Sequence, residues 1–230
     1  MSANETEFDR VSGNYEENLQ MGISLSGESM DYFAEERVRH TSRFLKDNRA
    51  GRILDFGCGT GTATPFLLTL PGAEDVLGFD PSEKSIAMAR TRWQGKPAAF
   101  VADGQSIGEG SIDTAFCNGV FHHIPPDERA GACRIVHKAL RPGGIFAYWE
   151  NNPWNPGTRW VMSRIPFDRD AITLSPPESH RMLRSAGFEV LRKDFLFFFP
   201  KMLSALRVLD PILRPFPLGA QYLVLCRKPT

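Results

Sequence analysis

The sequence has few cysteines and no long hydrophobic run. Only four of its 230 residues are cysteine, and none forms a Cys-x-x-Cys pair. This scarcity argues against a zinc ribbon and against a disulfide framework, so we expect a reducing, cytoplasmic location. The longest strongly apolar stretch, Phe195–Phe199, has about five residues, far fewer than the roughly 20 of a membrane-spanning helix. The polar, acidic first ten residues lack the features of a signal peptide. We therefore expect no membrane span.

An excess of charge of either sign is also absent. The 27 lysine and arginine residues balance the 27 aspartate and glutamate residues, which gives a formal net charge of zero. Non-specific binding to nucleic acid usually depends on a basic surface, so we expect no nucleic-acid partner. Hydrophobic residues make up 42% of the chain, enough to fill the core of one α/β domain.

Short apolar runs alternate with helix-like segments between residues 51 and 150, a pattern typical of βαβ units and a mostly parallel sheet. The predicted strands are Arg52–Phe56, Asp75–Phe79, Ala98–Ala102, Ile112–Cys117 and Ile145–Trp149. Two predicted helices fill gaps between them: Glu83–Arg92, capped by Ser82, and a segment near Asp127–Leu140 that ends before Pro142-Gly143-Gly144.

The regions on either side of this core are less regular, and we divide the single expected domain into four parts. Residues 1–50 form an N-terminal arm and helix, 51–150 the core, 151–177 a proline-rich lid, and 178–230 a C-terminal helix and strands. The predicted helical segments outside the core are Met30–Asp47, Thr158–Ile165, Glu178–Ala186 and Lys201–Leu209. The predicted strands there are Phe188–Phe199 and Gln221–Arg227.

The most informative segment is a strand that runs into a glycine loop, ILDFGCGTG, with Gly57, Gly59 and Gly61. Glycine permits positive φ and lets the backbone approach a ligand closely. A dinucleotide loop expects a small residue five positions after its first glycine, where Thr62 stands. Asp55 would also repel a pyrophosphate. The same carboxylate suits a ligand with an ammonium and a sulfonium and no phosphate, such as S-adenosylmethionine.

Two further acids end the next two strands, at the sheet edge where open α/β folds bind ligands. Asp80 is about 20 residues beyond the glycine loop, which suits hydrogen bonds from both ribose hydroxyls. The alternative is that Asp80 begins the following helix. Asp103 can accept from an adenine amino group, or Asp103-Gly104 can simply form a turn.

Together these motifs resemble the class I S-adenosylmethionine-dependent methyltransferases, particularly the small-molecule branch related to ubiquinone and menaquinone methyltransferases. The resemblance is carried by ILDFGCGTG, GFDPS, VADG, SIDTAFCNGVFHHI and LRPGGIF, in that order, over about residues 51–150. It implies a three-layer, Rossmann-like α/β fold whose seven-stranded sheet has the order 3-2-1-4-5-7-6, with strand 7 antiparallel.

The resemblance also implies roles for individual residues. The glycine loop would lie beside the methionine part of the cofactor, Asp80 on the ribose, and Asp103 near the adenine. Tyr15 lies in an arm, FDRVSGNYEENL, that resembles the segment folding over the cofactor in the family, although it could equally pack an N-terminal helix. The expected cofactor-binding residues are Tyr15, Asp55, Gly57, Cys58, Gly59, Thr60, Gly61, Asp80, Pro81, Ser82, Asp103, Gly104, Asn118 and Gly119.

Histidines after the fourth strand are the leading catalytic candidates. His122 or His123 could act as a base or orient the acceptor, or could only pack beside the cofactor. Glu150, Asn151 and His180 are lesser candidates. We expect His40 and His137 to lie on surface helices with structural roles. No histidines and carboxylates show metal-ligand spacing, so no metal is expected.

The acceptor should be recognised by the lid. Trp154, Trp160 and Phe167 could line an apolar or aromatic pocket, and Arg159 could hold an anionic group. We therefore expect a monomer or homodimer that methylates an O, N or C atom of a small molecule and releases S-adenosylhomocysteine. A lipid acceptor, a cyclisation that uses the same cofactor, and a non-catalytic cofactor-binding module remain open alternatives.

Overall fold

A seven-stranded sheet forms the centre of the protein, in a computed structural model that describes residues 26–45, 49–165, 168 and 171–230. Its strands lie in the order β3-β2-β1-β4-β5-β7-β6. The strands are β1 Gly51–Phe56, β2 Ala73–Phe79, β3 Ala98–Val101, β4 Ile112–Asn118, β5 Leu140–Asn151, β6 Glu189–Leu196 and β7 Gln221–Arg227. Strands β1 to β5 pair in parallel, and β7 is antiparallel to both β5 and β6. The predicted fold class and strand order are confirmed.

Helices connect the strands and cover the sheet. The α-helices are α1 Met30–Ser42, α2 Thr64–Leu67, α3 Glu83–Arg92, α4 Arg129–Ala139, α5 Pro156–Met162, α6 Pro176–Ser185 and α7 Asp210–Leu213. Shorter 3-10 segments are Gly104–Ser106, Phe121–His123 and Lys201–Leu209. Within the described ranges, no helix has the length and apolar character needed to cross a membrane.

Alternation along β5 shows why the central strands are apolar throughout. Phe146 and Tyr148 point into the core on one face of the sheet, whereas Ile145, Ala147 and Trp149 point into the core on the other. All five are buried. A strand covered on both faces has no solvent side, so its sequence lacks the polar alternation of an exposed sheet. This arrangement holds the carboxyl ends of β1, β2 and β4 at one edge.

The start of β5 differs from its prediction at Ile145. Helix α4 ends at Ala139, but the strand begins directly at Leu140 and includes Pro142, Gly143 and Gly144. Its register against β4 shifts between Ile112 and Thr114, and Gly143 has a φ of 79°. The proline and glycines therefore stop the helix as predicted and also form an irregular step inside the strand.

The C-terminal elements also have different ends from those predicted. Strand β6 ends at Leu196, because Phe197 adopts a left-handed φ of 63° that breaks the ladder. Helix α6 begins at Pro176, where Ser175 and Glu178 form a capping box and proline fits the first turn. Helix α1 ends at Ser42, earlier than the predicted Asp47, which itself lies outside the described residues.

Candidate functional site

The glycine loop follows β1 and is fastened to the end of β2. The backbone N–H groups of Gly57 and Cys58 donate to the carbonyl of Phe79 at 2.7 and 2.9 Å. Gly57 has a φ of 78°, and a Cβ there would lie 2.3 Å from Val120. Gly59 has a φ of 52° with no atom within 4 Å of a Cβ position, so its backbone faces open space. The loop can thus present bare backbone to a ligand.

Asp80 joins this loop to helix α3. Its Oδ2 accepts from the backbone N–H of Gly59 at 2.9 Å, and its Oδ1 accepts from that of Ser82 at 2.9 Å. Ser82 in turn caps α3 by accepting from the N–H of Ser85. Asp80 therefore orders the turn before α3, but the N-cap of that helix is Ser82 and not Asp80, as the alternative interpretation would have required. A carboxylate oxygen can accept more than one hydrogen bond, so these two contacts are compatible with a role of Asp80 in binding a ligand hydroxyl.

Asp55 lies at the end of β1 and is only 3% exposed. Its Oδ2 has no hydrogen-bond partner among the described residues. Burial, with a smaller contribution from the nearby Asp80 carboxylate, raises the pKa of Asp55 to about 7. A buried carboxylate with an unpaired oxygen fits a ligand that brings its own cation, such as the ammonium group of S-adenosylmethionine.

One cavity of 1380 Å³ opens beside the loop. The sequence-predicted residues that line it are Asp55, Gly57, Cys58, Gly59, Thr60, Asp80, Pro81, Asn118, Gly119, His122, His123 and Trp160. Gly61, Ser82, Asp103 and Gly104 are not among its lining residues. Asp103 is exposed and accepts from the backbone N–H of Gln105 at 2.9 Å, as a turn-forming residue would. Tyr15 and Phe167 lie outside the described residues.

Two of the predicted acceptor contacts, Trp154 and Arg159, are exposed and do not line this cavity. The reason is the orientation of α5, which buries Thr158 and Met162 and so turns Arg159 outward. Trp160 is at the cavity, with the guanidinium of Arg164 at 4.2 Å over its ring.

Aromatic residues from α1 and from the segment after β6 complete the wall, and sequence analysis did not assign them to it. They are Tyr32, Phe33, Phe197, Phe198 and Phe199. The rings of Phe33 and Phe197 pack edge-on with centroids 4.9 Å apart. The sequence analysis placed Phe197, Phe198 and Phe199 inside the predicted strand Phe188–Phe199. The left-handed backbone of Phe197 ends the strand earlier and brings these three side chains to the cavity.

The two candidate catalytic histidines belong to a cluster with Glu150 and Asp168. His122 Nδ1 lies 2.6 Å from Glu150 Oε2, and His122 Nε2 lies 3.5 Å from Asp168 Oδ1. His123 Nε2 lies 3.3 Å from the same Asp168 oxygen. The spacing in the sequence indicated no metal-ligand group, but His122, His123 and Asp168 place ligand atoms within 4.8 Å of one another. Asp168 was missed because the lid brings it in from a distant part of the chain.

The charge state of His122 follows from this environment. Burial opposes a charge on the ring, but the carboxylates of Glu150 and Asp168 outweigh it and raise the pKa of His122 to about 10. Burial also opposes ionisation of Asp168, yet hydrogen bonds with His122 and His123 hold the pKa of Asp168 below its usual value. In the absence of other ligands, His122 is thus an imidazolium at neutral pH and a poor proton acceptor.

A second buried histidine, His40, has a different environment. It is 3% exposed, so the prediction that it lies on a surface helix is wrong. Its Nε2 is 2.9 Å from Asp194 Oδ2. Burial lowers the pKa of His40 despite that partner. His40 also packs edge-on against Trp149. It lies outside the cavity lining, and so does His180.

Residues 53–144 match a family model described as a methyltransferase domain. The chain is 28% identical to an uncharacterized methyltransferase of Synechocystis sp. over 147 residues. The aligned part covers 62% of this chain and 68% of that protein. Over 160 residues, 67% of this chain, it is 33% identical to the trans-aconitate 2-methyltransferase of Methylobacterium nodulans, 58% of which is covered.

A crystal structure of an S-adenosylmethionine-dependent methyltransferase from Mesorhizobium loti shares the fold, with a TM-score of 0.60 and 23% identity over 84% of this chain and 97% of that one. The chain spans 68%, 26% and 59% of the length of three of its curated relatives.

Proposed function

Since residues 53–144 match a methyltransferase domain, we propose that this chain is a class I S-adenosylmethionine-dependent methyltransferase that moves the methyl group of that cofactor to an O, N or C atom of a small apolar or aromatic molecule. The observation that carries the proposal is the continuity of one cavity. It runs from Asp55 and Asp80, beside the glycine loop, to His122 and His123 and the aromatic wall. Donor and acceptor can therefore meet inside one space.

The loop end of the cavity supplies the contacts that the cofactor needs. Asp55 offers an unpaired carboxylate oxygen for the ammonium group, and the buried Oδ1 of Asn118 also has no partner among the described residues. Asp80 lines the cavity, and its carboxylate is a hydrogen-bond acceptor of the kind that the ribose hydroxyls need. When bound there, S-adenosylmethionine supplies a methyl group already activated on a sulfonium. The task of the protein is then to align this group with the acceptor.

The far end suits an acceptor with an apolar or aromatic body. Trp160 and Phe197 to Phe199 present apolar surface, and Asn151, Gln221 and Arg37 add polar groups that could orient a substituent. Arg37 Nη1 already donates to Gln221 Oε1 at 2.9 Å. A cavity lined mainly by apolar side chains with a few polar groups is typical of small-molecule sites. The zero net charge of the chain favours this over a nucleic-acid acceptor.

Both ring nitrogens of His122 face carboxylates, so we assign it to positioning rather than to proton removal. An acceptor that must lose a proton would deliver it to another group. An acceptor with a neutral amine nitrogen or an enolate-like carbon can attack without a protein base. For such an acceptor, the main contribution of the residues around His122 is to position it.

Calorimetry with S-adenosylhomocysteine tests the cofactor end. We expect saturable binding to the wild type, strong weakening in Asp80→Ala, and no change in the control Asp75→Ala, whose side chain is 42% exposed and pairs with Arg52 at 3.3 Å. The same affinity in all three proteins would contradict the proposed site.

Radiolabelled cofactor and a panel of small phenols, amines and carboxylic acids test the acceptor end. Mass spectrometry should find a product heavier than its acceptor by one methylene unit. A product of unchanged mass would instead identify a non-methylating reaction such as a cyclisation. Cofactor binding without any product from the panel or from cell extract would favour a binding module.

A further inference from the structure

We propose that His122, His123 and Asp168 form a binding site for one divalent transition-metal ion at the acceptor end of the cavity. The site goes beyond methyl transfer and does not depend on it. All three residues line the cavity, so a bound ion would be reachable from the space that holds the acceptor.

Two separations within the cluster are long for charge-assisted hydrogen bonds and close to the spacing of ligands around a cation. Asp168 Oδ1 lies 3.5 Å from His122 Nε2 and 3.3 Å from His123 Nε2. Charge-assisted N–H···O bonds are usually about 2.7–2.9 Å long. By contrast, ligands bound tetrahedrally to zinc at about 2.0–2.1 Å lie roughly 3.3–3.4 Å apart. The three ligand atoms all lie within 4.8 Å of one another, so only a small adjustment of His122 and His123 is needed.

Glu150 supplies the support that a metal-bound histidine normally has. Its Oε2 is 2.6 Å from His122 Nδ1, and its Oε1 accepts from the backbone N–H of Phe121 at 2.8 Å. A carboxylate that accepts from one ring nitrogen fixes the tautomer that leaves the other nitrogen unprotonated for the metal. Here the remaining nitrogen, Nε2, is the one that faces Asp168 and the cavity.

Charge and burial favour a dication. His122 is 3% exposed, Asp168 7% and Glu150 1%. A metal ion binds imidazole in its neutral form and would displace the proton of His122, so the carboxylates of Glu150 and Asp168 would then face the ion with two negative charges that one dication neutralises. A set of two imidazole nitrogens and one carboxylate oxygen suits zinc, iron, cobalt or nickel rather than magnesium or calcium.

Arg129 holds the two parts of the cluster in register. Its Nε donates to the carbonyls of Phe121 and Ile124 at 3.0 and 2.9 Å, and its Nη2 donates to that of Ile172 at 2.6 Å. It thereby ties the loop of the histidines to the chain just after Asp168. With three protein ligands in place, further coordination positions would be open to an acceptor oxygen, such as that of a hydroxyl or a carboxylate.

Metal titration of tag-free, chelator-treated full-length protein tests the site. We expect Zn²⁺ to bind with one equivalent per chain by calorimetry, and Co²⁺ to give visible d–d absorption characteristic of mixed nitrogen and oxygen ligands. His123→Gln and Asp168→Asn should each weaken Zn²⁺ binding by at least about tenfold and change the Co²⁺ spectrum, because outright loss of a ligand is more severe than loss of a supporting contact.

The matched control is His180→Gln, whose histidine lies outside the cavity lining and which should bind Zn²⁺ as the wild type does. Cooperative thermal unfolding of each variant shows that it is folded. The absence of saturable Zn²⁺ and Co²⁺ binding by the wild type would overturn the proposal, and so would binding that both folded variants retain. Methyl transfer by protein that binds no metal would refute only the metal site, whereas metal binding without methyl transfer would refute only the proposed function.

Discussion

Two buried pairs of acids lie at or beside the same cavity, and their surroundings are opposite. Asp55, at the glycine loop, has no salt bridge in the described part of the chain, and burial, with a smaller contribution from Asp80, raises the pKa of Asp55 to about 7. Glu150 and Asp168, at the acceptor end, have His122 between them. Despite burial, hydrogen bonds from the two histidines hold the pKa of Asp168 down.

The difference teaches where each end obtains its positive charge. At the acceptor end, the positive charge that faces the acids is that of protonated His122, or that of the proposed metal ion when it replaces the proton. The loop end leaves it to the ligand, which arrives as a cation. Negative charge without an internal partner is costly in a folded protein, so its presence at Asp55 points to binding rather than to stability.

Removal of one acid from the acceptor pair should have the largest effect on stability. Glu150→Gln leaves His122 with a single carboxylate in a buried site, and breaking such a pair typically costs about 3–5 kcal/mol. We expect a loss of this size in the free energy of unfolding, measured with urea at pH 7. The control Glu189→Gln, in a surface pair with Arg227, should cost less than about 0.5 kcal/mol. Equal losses of stability in Glu150→Gln and Glu189→Gln would show that the ion pair between Glu150 and His122 does not stabilise the folded protein.

At the loop end, removal of the charge should affect ligand binding more than folding. Asp55→Asn keeps the shape but loses the partner of the cofactor ammonium, which is a charge-assisted contact of about 1.5–3 kcal/mol. We expect affinity for S-adenosylhomocysteine at pH 8 to fall about 10- to 100-fold by calorimetry. Asp75→Asn should leave the affinity unchanged. An unaltered affinity in Asp55→Asn would show that Asp55 does not pair with a cationic group of the ligand, and the two ends of the cavity would then not differ in the source of their positive charge.

The same variant should show a pH-dependent gain in stability. The folded protein holds a proton on Asp55 up to about pH 7, whereas the unfolded chain releases it near 3.8. The stabilising contribution of protonated Asp55 to the free energy of unfolding is therefore fully present below the pKa of the unfolded chain. This contribution is lost as the pH rises through the pKa of Asp55 in the folded protein. Relative to wild type without ligand, Asp55→Asn should gain about 2.5 kcal/mol more at pH 8 than at pH 5. Urea unfolding at both pH values checks this, and a gain that is independent of pH contradicts it.

The smallest effect is expected at Asp103, the third acid of the loop edge. It is exposed and caps the 3-10 segment Gly104–Ser106, so Asp103→Ala should cost about 0.5–1 kcal/mol of stability. Its effect on S-adenosylhomocysteine affinity should stay within about threefold, because an exposed polar contact has a small net free energy. A loss as large as that of Asp80→Ala would instead restore Asp103 to the adenine role that the family resemblance implies.

The loop end could be predicted from the sequence because its residues are local. Asp55 is two positions before Gly57, Asp80 ends the next strand, and the sheet edge brings both together by a general rule of parallel sheets. The alternation of apolar runs likewise predicted βαβ units and a mostly parallel sheet, because each βαβ unit is a short-range pattern, whereas the strand order was implied by the family resemblance.

The acceptor end could not be predicted in this way. Glu150, Asp168 and His122 come from β5, the lid and a 3-10 segment, and no spacing rule links them. Trp154 and Arg159 were placed in the pocket because the lid sequence has no periodicity to orient its side chains, and for Arg159 the helical phase of α5, which buries Thr158 and Met162, decided otherwise. The buried position of His40 was missed because its partner, Asp194, lies on β6.

The two backbone hydrogen bonds to Asp80 have a kinetic consequence. They hold Gly59 and the start of α3 in place within the protein alone, so the glycine loop does not need to close around its ligand. A site built in advance loses little conformational entropy on binding, and association with it is limited by encounter rather than by rearrangement. We therefore expect the cofactor to bind in a single fast kinetic phase, with differences in affinity among loop variants arising in the dissociation rate.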